Sequence, residues 1–173
     1  MKVVQLKKEE YAGIPFTVQY STNGFYDICK TDSGFEIRYK SFDETVLKGF
    51  SDTLLSDWLQ NPIAYGVFDD DILIGYVEGF LESWNNRFRI SNICVFNALN
   101  RHKGVGAFLL KKITDTAKDL KARMIVLETQ SCNEKAISFY KKHDFEIIGF
   151  DLYAYSNEDL IKHEIRIEMG KRI

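Results

Sequence analysis

A chain of 173 residues is the natural size of one domain, and 45% hydrophobic with 14% aromatic residues supplies a packed core, which excludes a disordered chain. A formal net charge of −2 argues against a nucleic-acid partner, because such binding rests on neutralising phosphates. No apolar run approaches the ~20 residues that span a bilayer, and Met1 to Glu10 has no apolar signal core, so no membrane partner is expected and the cytoplasm is the expected compartment.

The first elements read as short alternating strands, Phe16–Tyr20, Tyr26–Cys29 and Phe35–Tyr39, with turns at Asn23-Gly24 and at Asp32 to Gly34. Ser51 to Gln60 reads as a helix. Ser51 or Asp52 would cap it, Leu54, Leu55, Trp58 and Leu59 form its apolar stripe, and Asn61-Pro62 ends it. Ala64–Asp69 and Ile72–Leu81 read as a hairpin turning at Asp69 to Asp71, and Arg87–Phe96 as the next strand. A loop, a helix to Leu120, a strand Arg123–Thr129, a second helix, and strands Phe145–Tyr155 and Glu164–Met169 complete the chain. The predicted fold is a single α/β domain over residues 1–173. Crossovers through two helices are long enough for parallel pairing within a mixed sheet.

The segment Arg101-His102-Lys103-Gly104-Val105-Gly106-Ala107 stands between the strand ending at Phe96 and the helix from Phe108. Two glycines two apart permit a tight turn and a close approach. The helix behind them aims unpaired N–H groups and a positive dipole end at the loop, which suits an anion such as a phosphate. A Walker loop is excluded because Ala107-Phe108 follow Gly106, and a dinucleotide fingerprint because Leu109 stands where its third glycine belongs. Read from Arg101 to Gly106, the pattern Arg-x-x-Gly-x-Gly resembles the pyrophosphate loop of the GNAT family of N-acetyltransferases. Asn133-x-x-Ala136-x-x-Phe139-Tyr140-x-x-x-x-Phe145 resembles that family's second cofactor element, and Ala136 and Tyr140 share a helix face. Ser83 to Arg87, Leu127 to Gln130 and Asp151 to Asn157 are similar to the streptothricin acetyltransferase branch. The resemblance covers Ile63 to the C-terminus well and the first sixty residues loosely.

The resemblance implies a mostly antiparallel central sheet with helices on both faces, and acetyl-CoA as acyl donor. The cofactor-binding set it implies is Cys94, Val95, Arg101, His102, Lys103, Gly104, Val105, Gly106, Ala107, Asn133, Ala136, Phe139 and Tyr140. Tyr140 is the expected general acid: a phenol of reference pKa ~10 can protonate a thiolate whose acid has pKa ~8.5. A lysine-like acceptor amine is neutral in only about one molecule in 2,500 at pH 7, so a base is useful. Streptothricin-type relatives often carry carboxylates on the strand before the loop; here Ser91 and Asn92 stand there. Glu78, Glu82 and Glu128 remain as candidate bases, each otherwise read as a solvated or ion-paired strand residue, and Glu128 joins Tyr140 in the expected catalytic set. Asp144 replaces the family's usual glycine, and aspartate tolerates a left-handed turn.

The expected function is acetyl transfer from acetyl-CoA to a primary amine of a small cationic acceptor, such as a streptothricin-like antibiotic. The alternatives are a peptide or protein N-acetyltransferase, or a catalytically silent acyl-CoA-binding module. Acidic residues at Asp43-Glu44, Asp69 to Asp71, Glu78, Glu82 and Asp151 would draw a cation if they lined one cleft, although Asp69 to Asp71 is more simply a turn. Phe25, Phe35, Tyr39, Phe42 and Phe50 suit either a pocket or the core. Cys29, Cys94 and Cys132 are widely spaced, with no CxxC pair, so no metal is expected, and Cys94 reads as a small buried hydrophobe. Exposed strand edges would permit a homodimer.

Overall fold

The computed structural model describes residues 1–96, 100 and 103–173. Its elements are β1 (Lys2–Leu6), α1 (Lys8–Tyr11), β2 (Pro15–Thr31), β3 (Gly34–Thr53), β4 (Ile63–Asp69), β5 (Ile72–Glu82), β6 (Arg87–Val95), α2 (Val105–Asp119), β7 (Met124–Gln130), α3 (Glu134–Lys141), β8 (Glu146–Asp151), α4 (Asp159–Lys162) and β9 (Arg166–Arg172). The class is the predicted one, mixed α/β with a mostly antiparallel central sheet and helices. The chain clusters into two compact units. One holds Met1–Val18, Gly49–Val126 and Arg172–Ile173, and the other Gln19–Lys48 and Leu127–Lys171.

In the first unit β1, β4, β5 and β6 pair antiparallel in that order. The β4–β5 turn is the predicted one, with Asp70 and Asp71 both left-handed at φ 45° and 63°. That is the backbone a two-residue hairpin needs, and aspartate accepts it better than most residues. The crossover through α2 sets β7 parallel to β6, with Arg87, Phe88 and Arg89 opposite Met124, Ile125 and Val126. One face of α2 buries Val105, Leu109, Leu110, Ile113 and Ala117, the spacing of an amphipathic helix. Gly75 on β5 makes room for it, since a Cβ there would stand 2.7 Å from the Val105 side chain. The β5–β6 register passes from Glu78↔Asn92 to Gly79↔Ile90, so Ser91 is the extra residue of a β-bulge.

Residues 51–60 depart from the predicted helix. β3 runs on to Thr53 and turns follow. Leu54, Leu55 and Leu59 are buried as their apolarity requires, but Trp58 is 65% exposed and edges onto Phe80. The backbone breaks at Leu55, which is left-handed at φ 49°. Its N–H is taken by the Tyr76 hydroxyl at 2.9 Å and by Glu78 Oε2 at 3.1 Å instead of by a helical carbonyl. Apolar periodicity cannot separate a helix from a turn whose amides are satisfied by a neighbouring strand.

In the second unit β8 and β9 pair antiparallel, and the parts of β2 and β3 that lie here form a two-stranded ribbon. The expected break at Asn23-Gly24 is absent, because β2 is one strand from Pro15 to Thr31. The glycine serves close approach: a Cβ on Gly24 would lie 2.3 Å from the Lys40 carbonyl oxygen. β8 stops at Asp151, four residues before the predicted end, where the Asp151 carboxylate accepts the Tyr153 N–H at 3.0 Å in an Asx-turn. Asp144, after α3, is left-handed at φ 66°.

Candidate active site

The loop and the strand before it lie in the first unit. Cys94 is buried in the core cluster with Leu6, Val18, Leu54, Leu55, Ala64 and Tyr76. Its neighbour Val95 pairs with Gly75 on β5. The β6–β7 ladder ends at Arg89–Val126, so toward Val95 that edge of β6 is not laddered to β7. Gly104 is the N-cap of α2 at φ 78°, and the Phe108 N–H donates to its carbonyl at 3.0 Å. The Lys103 N–H donates to the Asn100 carbonyl at 3.2 Å. The N–H groups of Val105, Gly106 and Ala107 open the helix and have no intrahelical acceptor. No acidic side chain stands in that first turn, so the dipole end keeps its positive character. Arg101 and His102 lie outside the described residues.

The second motif lies in the second unit. The Asn133 side chain caps α3, accepting the Ala136 N–H at 3.3 Å. Tyr140 is 6% exposed and packs on Phe139 and Phe145 at ring distances of 5.4 and 5.9 Å. Phe139 also meets His143 edge-on at 4.7 Å. Glu128 stands 3.1 Å from Arg166 Nε, in an ion pair whose geometry is not that of a hydrogen bond. It also accepts a long 3.5 Å contact from the Tyr155 hydroxyl, and the Tyr155 phenol is pushed up by burial first and by the Glu128 charge second.

The other base candidates are committed elsewhere. Glu78 is fully buried and accepts from the Tyr76 hydroxyl, from the Leu55 N–H at 3.1 Å and from Asn92 Nδ2 at 2.9 Å. The same Asn92 nitrogen donates to Asp52 Oδ2 at 2.9 Å. Burial, and then the Glu78 charge, raise the Tyr76 phenol far above its ordinary range. This network was only half legible in the sequence. Alternation along β5 places Tyr76 and Glu78 on one strand face, but nothing marks Leu55 or Asp52 as their partners. Glu82 bonds Arg89, Arg87 and Asn85 at 2.6, 2.9 and 3.0 Å. Burial alone would raise its carboxyl, and those donors together outweigh burial and hold it below the usual range.

The aromatic set divides between the units. In the second unit Phe25 stacks on His163 at 3.8 Å and packs against Phe42, while Phe35 and Tyr39 are exposed. Phe50 packs on Phe16 in the first unit. Among the described residues no group of three or more His, Cys, Asp or Glu is placed to hold a metal ion, and no helix is long and apolar enough to cross a membrane.

An antiparallel sheet whose β6 crosses through α2 to a parallel β7, with a left-handed glycine opening that helix, is the architecture of an acyl-CoA N-acyltransferase-like protein. A nourseothricin acetyltransferase structure shares this fold at a TM-score of 0.79 and 23% identity, covering 99% of this chain and 97% of that one. A Bacillus anthracis str. Ames protein assigned as a streptothricin acetyltransferase, solved with acetyl coenzyme A, matches at 0.77 and 23% identity over the same shares. The chain belongs to the acetyltransferase (GNAT) family, whose model matches residues 31–145. Streptothricin acetyltransferase of Escherichia coli is 30% identical over 139 residues, 80% of this chain and 77% of that protein. Streptothricin acetyltransferase A of Bacillus subtilis (strain 168) is 41% identical over 75 residues, which span 43% of either chain. Membership of this family makes the protein an N-acetyltransferase.

Proposed function

We propose that the protein transfers the acetyl group of acetyl-CoA to a primary amine of a small cationic acceptor of the streptothricin kind. The observation that carries this is the start of α2, the next helix after β6, which opens on a left-handed Gly104 and an acid-free first turn. The names of the curated relatives support the acceptor class. The amides from Gly104 to Ala107 would hold the pyrophosphate, with Arg101 and Lys103 adding positive charge. Gly104 suits that role because, among the described residues other than its chain neighbours, nothing stands within 4 Å of where its Cβ would be. Backbone groups of Cys94 and Val95 would pair with the pantetheine arm as an added strand does. Asn133, Ala136 and Phe139 would shape the second cofactor element.

The cofactor supplies an activated acetyl thioester. The amine nitrogen bonds to the acetyl carbon and the carbon–sulfur bond breaks. Tyr140 gives its hydroxyl proton to the leaving sulfur, and Glu128, oriented by Arg166, takes the proton that the amine loses. The phenol is then reprotonated from solvent.

Isothermal titration with acetyl-CoA, followed by thiol release against streptothricin, polyamines and peptides, tests the reading. Binding with thiol release on a cationic small amine is expected. Release on peptides alone would replace the acceptor class, and no binding would remove the reading. Gly104→Ala supplies a second check. A Cβ at φ 78° costs about 1–2 kcal/mol, so the melting temperature should fall by a few degrees and acetyl-CoA affinity by about tenfold. Unchanged affinity would show that this turn does not position the amides.

A further inference from the structure

β3 is an edge. Among the described residues it pairs with β2 alone, and residues 34–41 are exposed on both faces. Phe35, Ile37, Tyr39 and Leu47 rank among the exposed large hydrophobic residues. An unpaired edge bearing apolar groups is a template for another strand. The charges along it are not the uniform lysine fringe that blunts an edge. They run Glu36, Arg38, Lys40, Asp43, Glu44, Lys48.

We propose that β3 pairs antiparallel with β3 of a second copy of this chain, about a twofold axis through Phe42. A symmetric dimer sets residue i against j and j against i. With the axis at Phe42, Glu36 faces the second copy's Lys48 and Lys40 faces its Glu44. Ile37 meets Leu47, Tyr39 meets Thr45, and no like charges oppose. Neighbouring registers are worse. An axis at Ser41 keeps only the pairing of Arg38 with Glu44. An axis at Asp43 sets Arg38 against Lys48 and Asp43 against itself. An axis at Lys40 sets Glu36 against Glu44. Charge pairing therefore selects one register of an edge that backbone bonding alone would leave free to slide. Lys40 already reaches Asp27 at 2.5 Å and Lys48 reaches Glu164 at 2.7 Å, so the second copy's carboxylates would extend existing ion pairs.

Sedimentation velocity of the full chain over a concentration series tests this with two exposed substitutions, Lys40→Glu and Glu44→Lys. The unsubstituted protein should sediment as a dimer. Either variant alone sets like charges across the axis and should dissociate at least tenfold more readily. An equimolar mixture of the two restores both pairings and should regain the dimer. A monomeric unsubstituted protein, a variant that dimerises as well as the parent, or a mixture no more associated than its components would each overturn the proposal.

Discussion

Tyr140→Phe is expected to lower kcat by about a hundredfold or more while leaving acetyl-CoA affinity nearly unchanged. The substitution removes one oxygen and keeps the ring that packs on Phe139 and Phe145, so α3 should stand as before. What it loses is a proton donor for the departing sulfur, a loss felt only as the carbon–sulfur bond breaks. Titration calorimetry and steady-state thiol release on the same preparation separate the two effects. A fall in affinity equal to the fall in rate would make Tyr140 a cofactor-packing residue. Unchanged turnover would remove it from the chemistry altogether.

Glu78→Ala should be the most damaging single change to stability. It takes the acceptor from the Tyr76 hydroxyl, leaves the Asn92 amide only Asp52 and the Leu55 N–H only the Tyr76 oxygen, and opens a cavity inside the sheet. A buried donor left without its acceptor costs about 1–3 kcal/mol, and the cavity left by the side chain adds to that. For a chain of this size that is a fall of roughly 10 °C in melting temperature. Glu78→Gln keeps the shape but turns one acceptor oxygen into a donor that faces another donor, so it should recover only part of the loss. A scanning-calorimetry trace for Glu78→Ala that overlays the parent would show that Glu78 does not hold the turn at Leu55.

Much of the fold was legible wherever local chemistry and tertiary packing agree. The Asp70-Asp71 hairpin, the β6–α2–β7 crossover and the left-handed Asp144 each follow from residues that prefer the backbone they adopt. The segment 51–60 was not legible. Its leucines fit a helix and a buried turn equally, and the acceptors that decide between them sit on β5, more than twenty residues away. Asn23-Gly24 misled for a related reason: a glycine that lets strands approach has the same letter as one that turns. At the candidate site the two helices that follow the motif loops were readable because their spacing is local. The commitments of Glu78 and Glu82 were not, since they depend on which strands become neighbours.

The packing of Val105 onto Gly75 has a consequence for any anion that reaches the start of α2. The helix's first residue is a fully buried core side chain wedged against the middle of the sheet. The amides beside it are therefore aimed before a ligand arrives, and little conformational freedom remains to be surrendered on binding. Enlarging Gly75 would lift the helix end away from β5 and detune those amides from a distance, with no group that touches the anion altered. Such a change would show itself as a slower arrival and a faster departure of the ligand from an otherwise folded protein.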